Sequence, residues 1–206
     1  MQPTAILSAL VDEQRGLLDQ LATPQRIAHA GRTFWTGQLH GQPVVLAISR
    51  IGKVAAATTA AALVERFGVG RIVFTGVAGG LAPGVAVGDM VLAAEFINHD
   101  LDASPIVPRY EVPLYGRSRF AADGALSSLL GQAAQRVLEG SAAWLAADIR
   151  QTYRIGTPRL HQGLLASGDR FVATSAESRV LQSQLPDALA VEMEGAAVAQ
   201  VCHDYG

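Results

Sequence analysis

Short runs in which almost every position is apolar alternate along this chain with longer stretches whose apolar residues recur at helical spacing. The runs at 4–10, 43–49, 71–75, 90–95, 164–167 and 189–192 predict strands. Several are apolar throughout, the pattern of strands covered on both faces. Helices are predicted over 12–21, 53–67, 122–138 and 175–185. The first opens on Asp12 and Glu13, acids that suit a helix N-terminus. The second is alanine-rich and stops before Gly68. In the last, Thr174 and Glu177 have capping-box spacing. The alternation specifies an α/β protein with a largely parallel or mixed sheet between helical layers. Residues 98–119 break the pattern. Rich in proline, charge and aromatics, they read as a long loop, and loops of that length are usually functional or interfacial. In such a fold, ligands gather beyond the carboxyl ends of strands. That rule selects residues 9–13, 49–53, 75–80 and 192–194, with 167–172 as a fifth candidate.

Composition narrows the class. A chain of 206 residues favours one domain, 1–206, with no linker or internal repeat. Half of it is apolar and 17% is charged, which suits a substantial core and argues against disorder. A net charge of −2 with no basic block argues against a nucleic-acid partner. The single cysteine, Cys202, excludes a disulfide within the chain and fits a reducing compartment. The N-terminus has no basic region, and Asp12 and Glu13 interrupt its apolar stretch, so it does not read as a signal peptide. No apolar run is long enough to span a bilayer. The expectation is a soluble, cytoplasmic protein with no membrane partner.

Five stretches carry candidate chemistry. TGVAGGL at 75–81 lets the backbone turn and approach a ligand through Gly76, Gly79 and Gly80, or is simply a tight turn after a strand. Its spacing is not that of a dinucleotide fingerprint. SRIGKVAAA at 49–57 opens a helix whose N-terminus can bind an anion, or merely starts a helix; it lacks the upstream glycine of a P-loop. Asp12 and Glu13 end the first strand, where a carboxylate can act as general base on water or just complement a helix dipole. Glu192 and Glu194 sit in the apolar run AVEMEGAAVAQV, where a carboxylate is costly unless paired or used. At a strand end Glu194 can accept hydrogen bonds from a diol, or serve as an N-terminal acid of the next helix. His99, Asp100 and Asp102 share the long loop but form no metal-ligand pattern, and the five histidines are scattered. No metal and no cofactor are expected.

Together these motifs resemble the purine nucleoside phosphorylase-like superfamily, and within it the hydrolytic branch of methylthioadenosine/S-adenosylhomocysteine nucleosidases. The carriers are AILSALVDE at 5–13, SRIGKVAAA at 49–57, TGVAGGLAPGVAVGD at 75–89, SGDRFV at 167–172 and VEMEGAAVAQVCH at 191–203. The resemblance implies a three-layer α/β/α sandwich with a central mixed sheet, a homodimer, and a place in methionine salvage. It implies hydrolysis of an N-glycosidic bond of a small-molecule nucleoside, giving adenine and a 5-thio-substituted ribose. Glu13 matches the family's general base. Glu194 matches the glutamate that grips the ribose hydroxyls, and Met193 the methionine packed on the ribose. Phe171 matches the aromatic that stacks on adenine, and Val172 the position whose backbone reads the adenine edge. Ile51 and Leu10 match apolar wall positions, and the loop around 102–110 covers the thio group. Val77, Ala78 and Gly79 fall among the substrate-binding positions of the glycine turn.

The sequence departs from the family in two places. The family supplies the general acid from an aspartate in a Ser-Asp pair on a later strand, followed by a final helix, and this chain stops at Gly206 before them. The resemblance therefore implies a C-terminally incomplete chain, the alternative being a protein that lacks the acid and binds nucleosides with weak or no turnover. Val77 stands where relatives often carry a serine. A phosphate-using nucleoside phosphorylase is the rival enzyme on this scaffold; it calls for an arginine-lined phosphate pocket, and Glu13 favours water.

Overall fold

The computed structural model describes residues 2–206. Its strands are β1 (Thr4–Ser8), β2 (Ala22–His29), β3 (Arg32–Leu39), β4 (Gln42–Ile48), β5 (Arg71–Phe74), β6 (Gly79–Gly80), β7 (Met90–Asn98), β8 (Arg119–Ala121), β9 (Leu160–Ser167) and β10 (Ala188–Glu192). Its helices are α1 (Lys53–Phe67), α2 (Gly124–Glu139), α3 (Ser141–Trp144), α4 (Ala147–Thr152), α5 (Ser175–Gln184) and α6 (Gly195–Tyr205). The expected α/β class with mixed sheets and flanking helices is what forms. The strands divide into two five-stranded mixed sheets, in the orders β2-β3-β4-β1-β5 and β6-β10-β9-β7-β8. The chain divides likewise into two compact units, one running to Val77 and resuming at Met193–Gly206, the other Ala78–Glu192.

In the first unit, β1 pairs in parallel with both β4 and β5, with Ile6 opposite Leu46 and Val73. The apolar runs that predicted these strands bury Ala5, Leu7, Val45 and Ala47 against Ala56, Ala60 and Leu63 of α1 and Ala197 and Val198 of α6. Small residues on both helices allow this close approach. The alanine-rich stretch makes α1 a strong helix. Gly68 ends it in the left-handed region at φ 60°, and its N–H donates to the Val64 carbonyl.

Two expectations fail here. The predicted helix over 12–21 is replaced by two short 3-10 turns, Val11–Gln14 and Leu18–Gln20, neither with a buried residue. Arg15 leaves helical backbone at ψ 129° and Gly16 sits at φ 84°, so the helix cannot propagate. The hairpin β2–β3 has no counterpart in the predicted strands. Nearly all of β2 is exposed, so it lacks the apolar signal. Its sign lay in the turns: Ala30-Gly31, which joins β2 to β3, and His40-Gly41, which joins β3 to β4, all have positive φ, the backbone of two-residue hairpin loops.

In the second unit, β7, β9 and β10 are parallel, β6 and β8 antiparallel to their neighbours. The core gathers Ile97, Leu164, Ala166, Leu181, Leu185, Ala188 and Val191. β7 runs on past the predicted residue 95 to Asn98, and β9 starts four positions before the predicted 164, at Leu160. The capping box of α5 is present, with Thr174 and Glu177 bonding reciprocally. Residues 99–118 hold no helix or strand apart from one isolated bridge, Val112 to Arg117, as a loop should. Asp89 fastens the start of β7. Burial pushes its carboxyl up, but the Ala86 N–H, the His161 ring and the Arg159 N–H outweigh this and hold it below the ordinary range.

Candidate active site

Because β1 lies between β4 and β5 and all three run parallel, the segments leaving them emerge side by side at one end of the first unit's sheet. From β1 comes the turn that carries Glu13. Its Oε2 accepts the N–H groups of Ala9 at 2.9 Å and Leu10 at 2.8 Å. Its Oε1 accepts the N–H of Val77 at 3.1 Å. The same Oε1 lies 2.9 Å from where a Cβ on Gly76 would stand, so a side chain at 76 would push the Glu13 carboxylate out of its present position. A carboxylate offers about four lone-pair positions. Three are taken by backbone donors, and the fourth, on Oε1, is a position from which it can accept a proton from water.

Glu194 caps the N-terminus of α6 and is 5% exposed. Its Oε1 accepts the Gly52 N–H at 2.7 Å, and Gly52 is itself the N-cap of α1, at φ 98°. The anion at the start of α1 is therefore the protein's own carboxylate, which answers the alternatives left open for the 49–57 stretch. Arg50, in the left-handed region at φ 73°, turns its guanidinium away to the Gly31 carbonyl at 2.7 Å. Met193 is half-buried. Leu10, Ile51 and Val77 are exposed apolar side chains of this same unit. The unit thus brings Glu13 together with Val77, and Glu194 with the 49–53 segment.

The second unit holds the remaining candidates. Phe171 is 74% exposed, whereas Val172 packs against the Ile97–Leu164 core. Ala78 is exposed and Gly79 pairs with Val191. The loop that carries Phe171 is pinned at its root. The Ser167 hydroxyl donates to the buried Glu192 carboxylate, and the Gly168 N–H donates to the Glu192 carbonyl at 3.2 Å. The His99 N–H donates to the Ser167 carbonyl at 2.9 Å, and the Asp169 N–H to Asp100 Oδ2 at 2.8 Å. Asp100 is thus a loop clamp. Among the described residues no group of three or more His, Cys, Asp or Glu is placed to hold a metal. Glu192, to which the sequence assigned no role, ties β10 to β9; the signal needs the strand pairing and is not local. Ser167→Ala removes a donor from a buried carboxylate and is expected to lower unfolding stability by about 1–3 kcal/mol. Urea denaturation measures it, and an unchanged midpoint would contradict the tie.

The family model of the phosphorylase superfamily matches residues 3–206. The chain is 37% identical over 207 residues to the 5'-methylthioadenosine/S-adenosylhomocysteine nucleosidase of Chromohalobacter salexigens, covering 100% of this chain and 80% of that protein. It is 36% identical over 201 residues to that of Anoxybacillus flavithermus, covering 98% and 79%. Among solved structures, it is similar to the Neisseria meningitidis nucleosidase in complex with methylthio-immucillin-A, with a TM-score of 0.80, 32% identity, and 100% and 81% coverage. It is similar also to the Streptococcus pneumoniae MTA/SAH nucleosidase in complex with 8-aminoadenine, with a TM-score of 0.83, 32% identity, and 98% and 80% coverage. With a carboxylate held at the end of β1, a second capping α6, and these relatives along its whole length, the chain belongs to the phosphorylase superfamily, in its family of 5'-methylthioadenosine/S-adenosylhomocysteine nucleosidases.

Proposed function

We propose that this protein hydrolyses the N-glycosidic bond of 5'-thioadenosine nucleosides, methylthioadenosine and S-adenosylhomocysteine, to adenine and the thioribose. The observation that carries the reading is Glu13, oriented by three backbone N–H groups with one acceptor position left over. Cleavage passes through an oxocarbenium-like sugar. A carboxylate that takes a proton from the attacking water lets the hydroxyl bond to the anomeric carbon while the C–N bond electrons leave with the purine. The purine takes up a proton from solvent at a ring nitrogen to become adenine, as the carboxylate gives its own proton back to water. Negative charge held near the developing cation lowers the barrier further.

Within the same proposal, Glu194 accepts hydrogen bonds from the ribose hydroxyls and Met193 packs on the sugar. Leu10 and Ile51 wall the sugar and 5'-group, and Val77, Ala78 and Gly79 line the turn beside the purine. Phe171 stacks on the base, and the backbone of Val172 reads its edge. The relatives' names and the inhibitor-bound structures support this substrate class. The family model runs through both units without a break, which supports a single nucleosidase domain. A homodimer in the cytoplasm, serving methionine salvage, completes the proposal, and the lone Cys202 suits a reducing compartment.

A phosphorylase needs an anion site for its co-substrate. Here the N-terminus of α1 receives Glu194 instead, which supports water as the nucleophile. Incubation with methylthioadenosine, with and without phosphate, followed by chromatography is the test. Adenine is expected in both mixtures at equal rates. Adenine only in the presence of phosphate would make the protein a phosphorylase, and none in either would refute catalysis on this substrate.

A further inference from the structure

Gln14 follows the proposed base directly and takes no part in the chemistry, yet both amide protons of its side chain are committed. Nε2 donates to the Ile6 carbonyl at 2.8 Å and to the Ala47 carbonyl at 2.9 Å. Ile6 belongs to β1 and Ala47 to β4, adjacent parallel strands, so one side chain bridges the pair near the end from which Glu13 emerges. The turn it anchors is short and held weakly from within. Val11–Gln14 is a 3-10 turn in which the Glu13 N–H donates to the Leu10 carbonyl at 3.2 Å. A single turn of helix is not self-sustaining in water. After Gln14 the backbone leaves helical geometry at Arg15 and Gly16, so no following helix steadies it. The Glu13 carboxylate reaches three N–H groups, but its Cα depends on the turn.

We infer that Gln14 is a positioning residue for Glu13: its amide fastens the turn to β1 and β4 and so fixes where the carboxylate meets the water. The inference rests on the reading of Glu13 as general base. The role demands two neutral N–H donors at the reach of a glutamine. Methionine has the length but no donor. Glutamate has the length and would set a carboxylate against two carbonyl oxygens. Lysine carries donors at greater reach.

The experiment is steady-state hydrolysis of methylthioadenosine by Gln14→Met, Gln14→Glu and Gln14→Lys, with thermal unfolding of each and with Gln14→Met repeated in a Glu13→Gln background. Gln14→Met is expected to lower kcat by about 10–100-fold, as small misplacements of a reacting group do, with KM little changed. Gln14→Glu falls further, and Gln14→Lys recovers part of the loss. In the Glu13→Gln background, Gln14→Met changes the residual rate little, because it acts through the group already removed. Wild-type kcat in Gln14→Met beside an inactive Glu13→Gln overturns the positioning role alone. So does a full additional loss in the double variant, which marks a general structural effect. A fully active Glu13→Gln overturns the base assignment itself, and this inference with it.

Discussion

Glu13→Gln is expected to lower kcat for methylthioadenosine hydrolysis by about 10²–10⁴-fold, the usual worth of a general base, while adenine still binds. The substitution keeps length and shape. One amide oxygen can still accept the Ala9 and Leu10 N–H groups that Oε2 accepts now. The amide nitrogen then faces the Val77 N–H, donor against donor, and no basic oxygen is left for water. The loss should therefore sit in the chemical step. Calorimetric titration with adenine separates the two effects, since the proposed base contacts lie with Phe171 and Val172. A variant that turns over at the wild-type rate would remove Glu13 from the mechanism.

Glu194→Gln is expected to lower kcat/KM by about 10- to 100-fold, equivalent to about 1.5–3 kcal/mol for a hydrogen bond to a charged group. Glutamine can still accept the Gly52 N–H, so that contact between α1 and α6 is kept while the charge is lost. The discriminating substrate is a 2',3'-dideoxy analogue. With no hydroxyls to grip, the variant and the wild type should cleave it at similar rates. If the substitution costs as much on the analogue as on methylthioadenosine, Glu194 holds the fold and not the sugar.

What could be read in the sequence was what is written locally. β1, β4, β5 and α1 announced themselves because continuous apolar runs and an alanine-rich stretch are direct signatures of burial and helix propensity. The capping box of α5 is a local device and was legible for the same reason. The turn at 11–14 was misread because the acid of its first turn suggested a helix dipole. Instead, Glu13 answers three N–H groups, one of them sixty-four positions away at Val77. Gln14 gives no local sign of its role, which exists only where β1 and β4 are neighbours. Glu192 likewise acquires a purpose only once β9 and β10 pair. Residue types at strand ends pointed to the chemistry, whereas the contacts that orient them are long-range and needed the fold.

The first unit is discontinuous, and its core takes Ala197 and Val198 from α6 beside Leu7, Ala60 and Leu63. On the ribosome, the opening strands and α1 are made long before α6. Through that interval their apolar face lacks the helix that covers it, whereas Ala78–Glu192 is one uninterrupted stretch. Vectorial synthesis thus favours the later-made, continuous segment settling before the earlier one is sealed. The core of the first unit therefore closes only once α6 has been translated.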